Sequence, residues 1–400
     1  MHKKLKPKIR ESKTFAAVMT GKGTGAIATI QIFGNSVKEI LEKIFEPAAD
    51  GKARLEKGKI LLGNIKRADQ IIDEVTIGCE EEDCFAINCH GNPLIAADIM
   101  NLLKKLGARL IKPDDILKKI YKSQGLSTIE IESKLAMTNA KTLTGSKIIS
   151  NQVKDGLKKK ASGWLKNKKN LTIEKIRKDT EQILENTKRA KPIIFGAKIV
   201  LAGPANSGKS TLLNFLAGKQ KAIVTDIAGT TLDYVRTECK IGTLHAQIID
   251  TAGIRTLNSE NKPIEKEAQR GSVKIISDAD MVLLIIDNSK KEFQLDKQVM
   301  KKILSKLVIA VLNKSDLAEQ FNSKNLLKDF DGVVKISAKT GYGIDKLIEK
   351  INEKFEVNQL DIHAAVCVSK RQKRLIRQLK YTNSKKMAFD IISELLNGRV

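Results

Sequence analysis

The chain has 400 residues, a length typical of two or three domains, and its hydrophobic fraction of 42% includes few aromatic residues. Its formal charge of +26 favours a polyanionic partner, either nucleic acid or an anionic membrane surface. The longest apolar runs, such as "MVLLIID" and "LVIAVL", have the length of strands and exclude a membrane span. The start "MHKKLKPKIRESKTF" has no signal-peptide pattern, and the cysteine spacing fits no zinc motif, so free thiols and a cytoplasmic location are expected.

Residues 1–114 are predicted to form a small α/β domain. Five segments have the composition of strands, and "SVKEILEKIF" and "PLIAADIMNLLKKLG" have helical apolar spacing; the strand segments are "FAAVMTG", "AIATIQIFG", "GKILLGNI", "DEVTIGC" and "CFAINCHG". Residues 115–192 are predicted to be helical, most clearly in "NLTIEKIRKDTEQILENTKRA", with Pro192 breaking the pattern.

Residues 193–357 alternate strands with helices, which predicts a parallel sheet covered by helices. Residues 358–400 are basic and helical again. Two helical segments on either side of an α/β domain indicate one helical domain into which the α/β domain is inserted. The predicted fold class is therefore mixed α/β and α.

The segment "GPANSGKST", Gly203 to Thr211, is a P-loop between a predicted strand and a predicted helix. Its glycines let backbone N–H groups turn toward phosphates, Lys209 neutralises the outer phosphates, and Ser210 can offer its hydroxyl to Mg²⁺. The nucleotide-binding residues predicted here are Asn206, Ser207, Gly208, Lys209, Ser210 and Thr211.

Three more motifs follow strands of the same domain: "DTAG", "NKSD" and "SAK". Asp250 can reach Mg²⁺ through water, Gly253 can bond the γ-phosphate, and Asp316 can accept hydrogen bonds from guanine that adenine cannot offer. Because parallel sheets bind ligands at the carboxyl ends of their strands, the motifs predict a Ras-like P-loop GTPase domain. The residues added to the GTP site are Asp250, Thr251, Ala252, Gly253, Asn313, Lys314, Asp316, Ser337, Ala338 and Lys339.

The segment "TDIAGTTLD" between these motifs is the expected first switch, which orders on the γ-phosphate. Thr231 is the expected Mg²⁺ ligand, with Thr230 as the alternative. The predicted GTP-binding residues here are Thr225, Asp226, Ile227, Ala228, Gly229, Thr230 and Thr231.

The residue after Gly253 is Ile254, which cannot orient the attacking water as a glutamine does in many GTPases. A side-chain oxygen of Asn206, with switch carbonyls, can instead coordinate K⁺ and supply the charge of an arginine finger. Glu265 is the first choice for orienting the water. The alternative is that Glu265 and its neighbours Glu260 and Glu267 are solvated surface carboxylates.

The segments "GPANSGKSTLLNFLAG", "AIVTDIAGTTLDYV" and "IIDTAGIR" together resemble the G domain of the MnmE/TrmE family of tRNA modification GTPases, over about residues 196–350. "GAIATIQIFG" and "CHGNPLIAADIMNLLKKLGARLIKP" resemble its N-terminal part more weakly. The resemblance implies a homodimer whose G domains pair across K⁺, near Asn206, Thr225, Ile227 and Thr230, with Ser210 and Thr231 on Mg²⁺. It matches Glu265 to the family's water-orienting glutamate.

The resemblance further implies an FAD-dependent partner protein, modification of the wobble uridine of tRNA at carbon 5, and a folate one-carbon donor held by the N-terminal domains. Two segments depart from the family pattern. The chain ends "IISELLNGRV", without a cysteine-containing motif, and in "KPDDILKKIYKSQGLST" Asp115 and Lys119 match the folate motif only loosely. These departures favour a second hypothesis, a GTP-dependent RNA- or ribosome-binding switch without modification chemistry.

The predicted helical domain is the most basic part of the chain. Residues 154–191 hold thirteen Lys/Arg and five Asp/Glu, and residues 364–400 hold nine and two. Such helices suit phosphate backbones, which predicts salt-sensitive, weakly sequence-specific RNA contact; the alternative is a solvated face. Stacking on bases is not favoured, because Trp164 and Tyr381 stand alone. Cys89 and His90 are adjacent on a predicted strand, so they are expected to point to opposite faces.

Overall fold

The computed structural model describes residues 14–21, 23–49, 54–218, 236–250, 273–292, 294–322, 330 and 332–398. The chain divides into two units, of which the first ends at Ser127 and the second begins at Thr128. No helix in the described ranges combines the length and the hydropathy needed to cross a bilayer.

The first unit is built on a seven-stranded sheet. Its strands are β1 Phe15–Val18, β2 Ile27–Phe33, β3 Phe45–Pro47, β4 Ile60–Arg67, β5 Gln70–Glu81, β6 Cys84–His90 and β7 Arg109–Leu110. They lie in the order β3-β4-β5-β6-β2-β1-β7, and only β1 and β7 pair in parallel. The five predicted strands are all present. The edge strands β3 and β7, of three and two residues, are too short to show an alternating pattern.

The helices of the first unit are α1 Val37–Ile44, α2 Pro93–Lys105 and α3 Pro113–Ser123. The side chain of Asn92 accepts a hydrogen bond from the Leu94 N–H and so caps α2. Ile116 and Ile120 of α3 pack with Ala17 and Cys84 on the sheet. The first unit therefore continues beyond residue 114, where the sequence placed the domain boundary.

The second unit contains a six-stranded sheet. Its strands are β8 Ala197–Ala202, β9 Arg236–Ile241, β10 Leu244–Asp250, β11 Met281–Asp287, β12 Leu307–Asn313 and β13 Val333–Lys335, in the order β13-β12-β11-β8-β10-β9. The sheet is parallel as predicted, except that β9 pairs antiparallel with β10. The two strands are joined by a two-residue turn in which Gly242 has φ +61°, and such a turn forms a hairpin. The helices here are α8 Lys209–Gly218, α9 Lys297–Leu304 and α10 Ile344–Lys354.

The remaining helices lie on both sides of this sheet in the sequence. They are α4 Thr128–Met137, α5 Leu143–Lys154, α6 Leu157–Lys166, α7 Ile173–Phe195, α11 Lys370–Tyr381 and α12 Lys385–Asn397. Trp164, Ile183, Ile376 and Ile392 are buried in one core formed by helices from both segments. Both segments thus form one helical domain, and the predicted insertion of the P-loop domain is confirmed.

A buried ion pair joins the two helical segments. Glu132 of α4 is 3% exposed, and its Oε1 accepts a hydrogen bond from Nε of Arg371 in α11 at 2.9 Å. Nη2 of Arg371 donates to Oε2 of the same carboxylate at 3.0 Å. Arg371 also donates to the backbone oxygens of Glu394 and Leu395 at the end of α12. One side chain therefore links three helices.

The helix α7 does not end at Pro192, as the sequence suggested, but continues to Phe195. Proline removes one helical hydrogen bond, yet the buried side chains of Ile193 and Ile194 hold the last turn against the core. Their backbone oxygens accept hydrogen bonds from the Thr142 hydroxyl and the Lys141 N–H. Gly196, with φ +83°, then leads directly into β8.

Candidate nucleotide-binding site

The P-loop connects the end of β8 to the start of α8. Gly203 and Gly208 have φ of +151° and +94°. A Cβ atom on Gly203 would lie 2.2 Å from the backbone oxygen of Ile285, and one on Gly208 would lie 2.1 Å from Nδ2 of Asn313. Both positions therefore require glycine, for conformation and for contact with the neighbouring strands.

Lys209 is buried inside the turn of the P-loop. Its Nζ donates to the backbone oxygens of Gly203 at 2.9 Å and Pro204 at 2.6 Å. Burial lowers the pKa of Lys209, and the nearby Asp250 carboxylate partly opposes this shift. The ammonium thus lies at the N-terminal end of α8, where the helix dipole also favours a phosphate group.

Two oxygen-bearing side chains suited to Mg²⁺ meet beside the P-loop. The Ser210 hydroxyl donates to Oδ2 of Asp250 at 2.7 Å, across from the first residues of α8 to the last residue of β10. A hydroxyl and a carboxylate are the hard oxygen donors that Mg²⁺ prefers. The chemistry of these two residues therefore fits the ion.

Asn313 joins the P-loop to the loop after β13. The side chain is 2% exposed. Its Nδ2 donates to the backbone oxygen of Ser207 at 2.8 Å, and its Oδ1 accepts from the Ala338 N–H at 2.9 Å. The sequence placed Asn313 in the site but did not indicate that it holds two loops together.

Asp316 is exposed and is positioned by Ser337, whose hydroxyl donates to Oδ1 at 2.6 Å. The Ser337 oxygen in turn accepts from the Thr340 N–H at 3.2 Å. The hydrogen bond from Ser337 holds the pKa of Asp316 below its usual value, so the carboxylate stays ionised. An ionised carboxylate only accepts hydrogen bonds, which suits the two N–H groups on one edge of guanine.

The structure adds Asp287, which the sequence analysis did not select. Its Oδ2 lies 2.6 Å from Nζ of Lys314, and its Oδ1 accepts from the Ser289 N–H and hydroxyl. Burial alone would raise the pKa of Asp287, but these hydrogen bonds outweigh it and the pKa is lowered. Asp287 ends a strand, β11, just as Asp250 ends β10. Its place at the carboxyl end of a predicted strand was the feature of the sequence that could have identified Asp287 as a site residue.

Comparison with known proteins agrees with this geometry. Residues 198–314 match the family described as 50S ribosome-binding GTPase, and residues 14–123 match the GTP-binding protein TrmE N-terminus. The tRNA modification GTPase MnmE of Endomicrobium trichonymphae is 32% identical over 370 residues, which cover 84% of this chain and 80% of the relative. That of Acetivibrio thermocellus is 30% identical over 404 residues, covering 91% and 86%. The chain belongs to the MnmE family of tRNA modification GTPases.

A solved structure also matches part of this MnmE-family chain. The G domain of the FeoB iron transporter from T. maritima is 30% identical and covers 40% of this chain and 98% of its own, with a TM-score of 0.30. The family matches and the MnmE relatives confirm the resemblance to the family stated from the sequence, and the chain is a GTPase.

Several predicted residues of this MnmE-family site lie outside the described residues. Three other predicted residues are described: Thr211 and Lys339 are exposed next to Ser210 and Ala338, and Asn206 is exposed in the P-loop with φ +61°. Those outside the described ranges are Thr225, Asp226, Ile227, Ala228, Gly229, Thr230, Thr231, Thr251, Ala252, Gly253 and Glu265. Among the described residues, the structure brings together the P-loop, Asp250 and the loops that carry Asn313, Asp316 and Ser337.

The Cys89–His90 pair is divided between two faces, as expected. Cys89 is buried, whereas the side chain of His90 is 67% exposed. His90 meets Asp73 twice, through Nδ1 and through its backbone N–H, each at 2.8 Å. All five cysteines of the chain are free and buried.

Proposed function

We propose that this MnmE-family GTPase uses GTP hydrolysis, activated by K⁺, to drive pairing of G domains in a homodimer that modifies carbon 5 of the wobble uridine of tRNA. An FAD-dependent protein is the proposed partner. The observation that carries the proposal is the assembly of Lys209, the Ser210–Asp250 pair and the Ser337–Asp316 pair on one sheet edge. This assembly supports a GTP-driven cycle, and family membership supports tRNA as the substrate.

The proposed K⁺ ligand that the structure describes is Asn206. It has a left-handed backbone conformation, φ +61°, and is exposed. Within the described part of the chain its side chain has no hydrogen-bond partner, so its oxygen is available to a cation. Thr225, Ile227 and Thr230 are proposed to complete the K⁺ site, and Thr231 the Mg²⁺ site. A fixed cation beside the phosphates stabilises the charge that develops in the transition state.

The remaining groups are assigned by their chemistry. Lys209 holds the phosphate chain in the P-loop, and Asp316 holds guanine. Since Ile254 has no group that can orient water, Glu265 is proposed to do so. Bound Mg²⁺ would neutralise phosphate oxygens next to Ser210.

The K⁺ proposal is tested by GTPase rates in KCl and in NaCl at equal ionic strength. The wild-type protein is expected to hydrolyse GTP at least about tenfold faster in KCl, in line with the loss seen when one transition-state charge donor is removed. The variant N206A is expected to lose this difference while still binding GTP. Equal rates of the wild-type protein in the two salts would contradict the proposal.

The proposed homodimer is supported by apolar side chains on the first unit. Ile60 and Leu62 of β4 are 77% and 50% exposed and share one face of the strand. Sedimentation analysis of I60E/L62E is expected to give a monomer where the wild-type protein is a dimer. The folate donor is proposed from family membership alone. The side chains matched to the folate motif make contacts within the protein: Asp115 pairs with Lys118 at 3.1 Å, and Nζ of Lys119 lies 4.1 Å from the centre of the Phe15 ring.

The role in tRNA modification is tested by nucleoside analysis of tRNA from cells with and without the gene. Deletion is expected to remove a carbon-5-substituted wobble uridine, and the wild-type chain, but not K209A, is expected to restore it. An unchanged nucleoside profile with intact GTPase activity would favour the second candidate, a GTP-dependent RNA- or ribosome-binding switch. That candidate is supported by the ribosome-binding description of the family matched by residues 198–314.

A further inference from the structure

Positive charge is concentrated on α11. This helix has six Lys/Arg residues and no acidic residue. Lys370, Arg374 and Arg377 are exposed, and their spacing of four and three residues puts them on one face of the helix. From Lys370 to Arg377 the row extends about 10 Å along the helix axis.

This row forms one wall of a groove between α11 and α12, with a volume of about 980 Å³. The opposite wall includes Met387, which is 56% exposed, and Ile391. Among the described residues that line the groove, Glu394 is the one carboxylate, and its Oε1 lies 3.7 Å from Nη2 of Arg374. The groove therefore has a positively charged wall and an opposite wall with apolar side chains.

Within the described lining of the groove, Glu394 balances only part of the positive charge. Burial lowers the pKa of Lys373, and the positive charges of Arg377 and Lys191 lower it further. Cations that repel one another in this way are stabilised by a bound polyanion, which would relieve the repulsion.

Tyr381 completes the row one turn beyond Arg377. It lines the same groove and is 75% exposed. Nζ of Lys380 lies 5.8 Å from the centre of its ring. Stacking is not expected from the sequence, because Tyr381 is isolated along the chain, but the fold places its ring at the end of a cationic row. Cationic rows beside an exposed aromatic ring are the pattern of proteins that bind single-stranded nucleic acid.

We infer that the α11–α12 groove binds a single-stranded segment of RNA, with phosphates along Lys370, Arg374 and Arg377 and an unpaired base stacked on Tyr381. The inference rests on the proposed function, which supplies tRNA as the RNA. A concave groove with an aromatic ring at its end fits a strand with protruding bases better than it fits the flat surface of an anionic membrane.

The test is fluorescence anisotropy with two labelled RNAs, an anticodon stem-loop and a blunt duplex of equal length, over a series of KCl concentrations. The variant R377A is expected to reduce the slope of log affinity against log salt by about 0.7, and R374A/R377A by about 1.4. Y381A is expected to weaken stem-loop binding at least about fivefold without a comparable change for the duplex, whereas Y381F stays near wild type. R109A, which removes an exposed arginine from β7, is the matched control and should change neither.

The outcomes separate the groove from the proposed function. If the wild-type protein binds the stem-loop with a normal salt slope and R374A/R377A binds it equally, the groove assignment is overturned and the tRNA role stands. If the wild-type protein binds neither RNA, both fall. If the groove variants lose binding to phosphatidylserine vesicles while stem-loop binding is unchanged, the groove serves a membrane surface and the inference is overturned.

Discussion

Asn313 gives the most direct test of how the site is held together. In N313A, the backbone oxygen of Ser207 and the N–H of Ala338 both lose their side-chain partner, at sites that are 0% and 3% exposed. A buried backbone group left without a partner costs about 1–3 kcal/mol, so the two together cost about 2–6 kcal/mol. The P-loop and the loop after β13 are then no longer tied to each other.

Two measurements check this prediction. Hydrogen–deuterium exchange of residues 337–340 is expected to accelerate in N313A, and GTP affinity, measured by titration calorimetry, is expected to fall at least tenfold, about 1.4 kcal/mol. The matched control is N288A. Asn288 is also 2% exposed and follows the neighbouring strand, but its buried Oδ1 has no hydrogen-bond partner within the described residues. Equal effects of N313A and N288A on exchange and affinity would refute the reasoning.

Three further predictions concern other parts of the chain. R371M leaves the Glu132 carboxylate buried without its cation, so it is expected to lower the free energy of unfolding of the helical domain by about 3–5 kcal/mol. Urea unfolding followed by the fluorescence of the single tryptophan measures this loss, and the control R374M, at an exposed arginine, is expected to cost about 1 kcal/mol or less. Burial raises the pKa of all five cysteine thiols, that of Cys367 to about 12. At pH 8 the thiols of the native protein should therefore react with a disulfide reagent far more slowly than those of the urea-unfolded protein, and fast reaction of the native protein would contradict their burial. D316N replaces a hydrogen-bond acceptor with an N–H donor facing the 2-amino group of guanine. Calorimetry should therefore show weaker binding of GTP and stronger binding of xanthosine triphosphate, whose base has an oxygen in place of the 2-amino group. An unchanged preference between the two nucleotides would show that Asp316 does not contact the base.

The sequence was most informative where a local pattern and its structural cause coincide. Gly203, Lys209 and Ser210 are recognisable because phosphate binding needs those residue types at fixed spacing, and in the structure they lie together in the turn from β8 to α8. The prediction that the helix ends at Pro192 was wrong, because the buried side chains of Ile193 and Ile194 hold one more turn of α7 against the core. The helix α3 was assigned to the helical domain because its apolar spacing does not reveal which sheet it packs against.

Contacts between distant segments set the limit of sequence reasoning. The motif containing Asn313 is evident, but its two hydrogen bonds connect residues 106 and 25 positions away, so no periodicity encodes them. Asp287 shows the same limit, since its partner Lys314 lies 27 positions away, directly after strand β12. The groove beside α11 is a similar case, because only the packing of α12 turns a basic helix into a concave surface.

The chain crosses twice between the P-loop domain and the helical domain. At the first crossing, α7 runs within one residue of β8, the strand that ends at the P-loop. At the second, Gln152 is 0% exposed and its amide bonds the backbone of Ala364 and Val366, while the Thr187 hydroxyl accepts from the Cys367 N–H. The second crossing leads straight into α11. Because the second crossing is held by the buried hydrogen bonds of Gln152 and Thr187, and one residue separates α7 from β8 at the first, the P-loop domain joins the helical domain through ordered segments rather than free linkers.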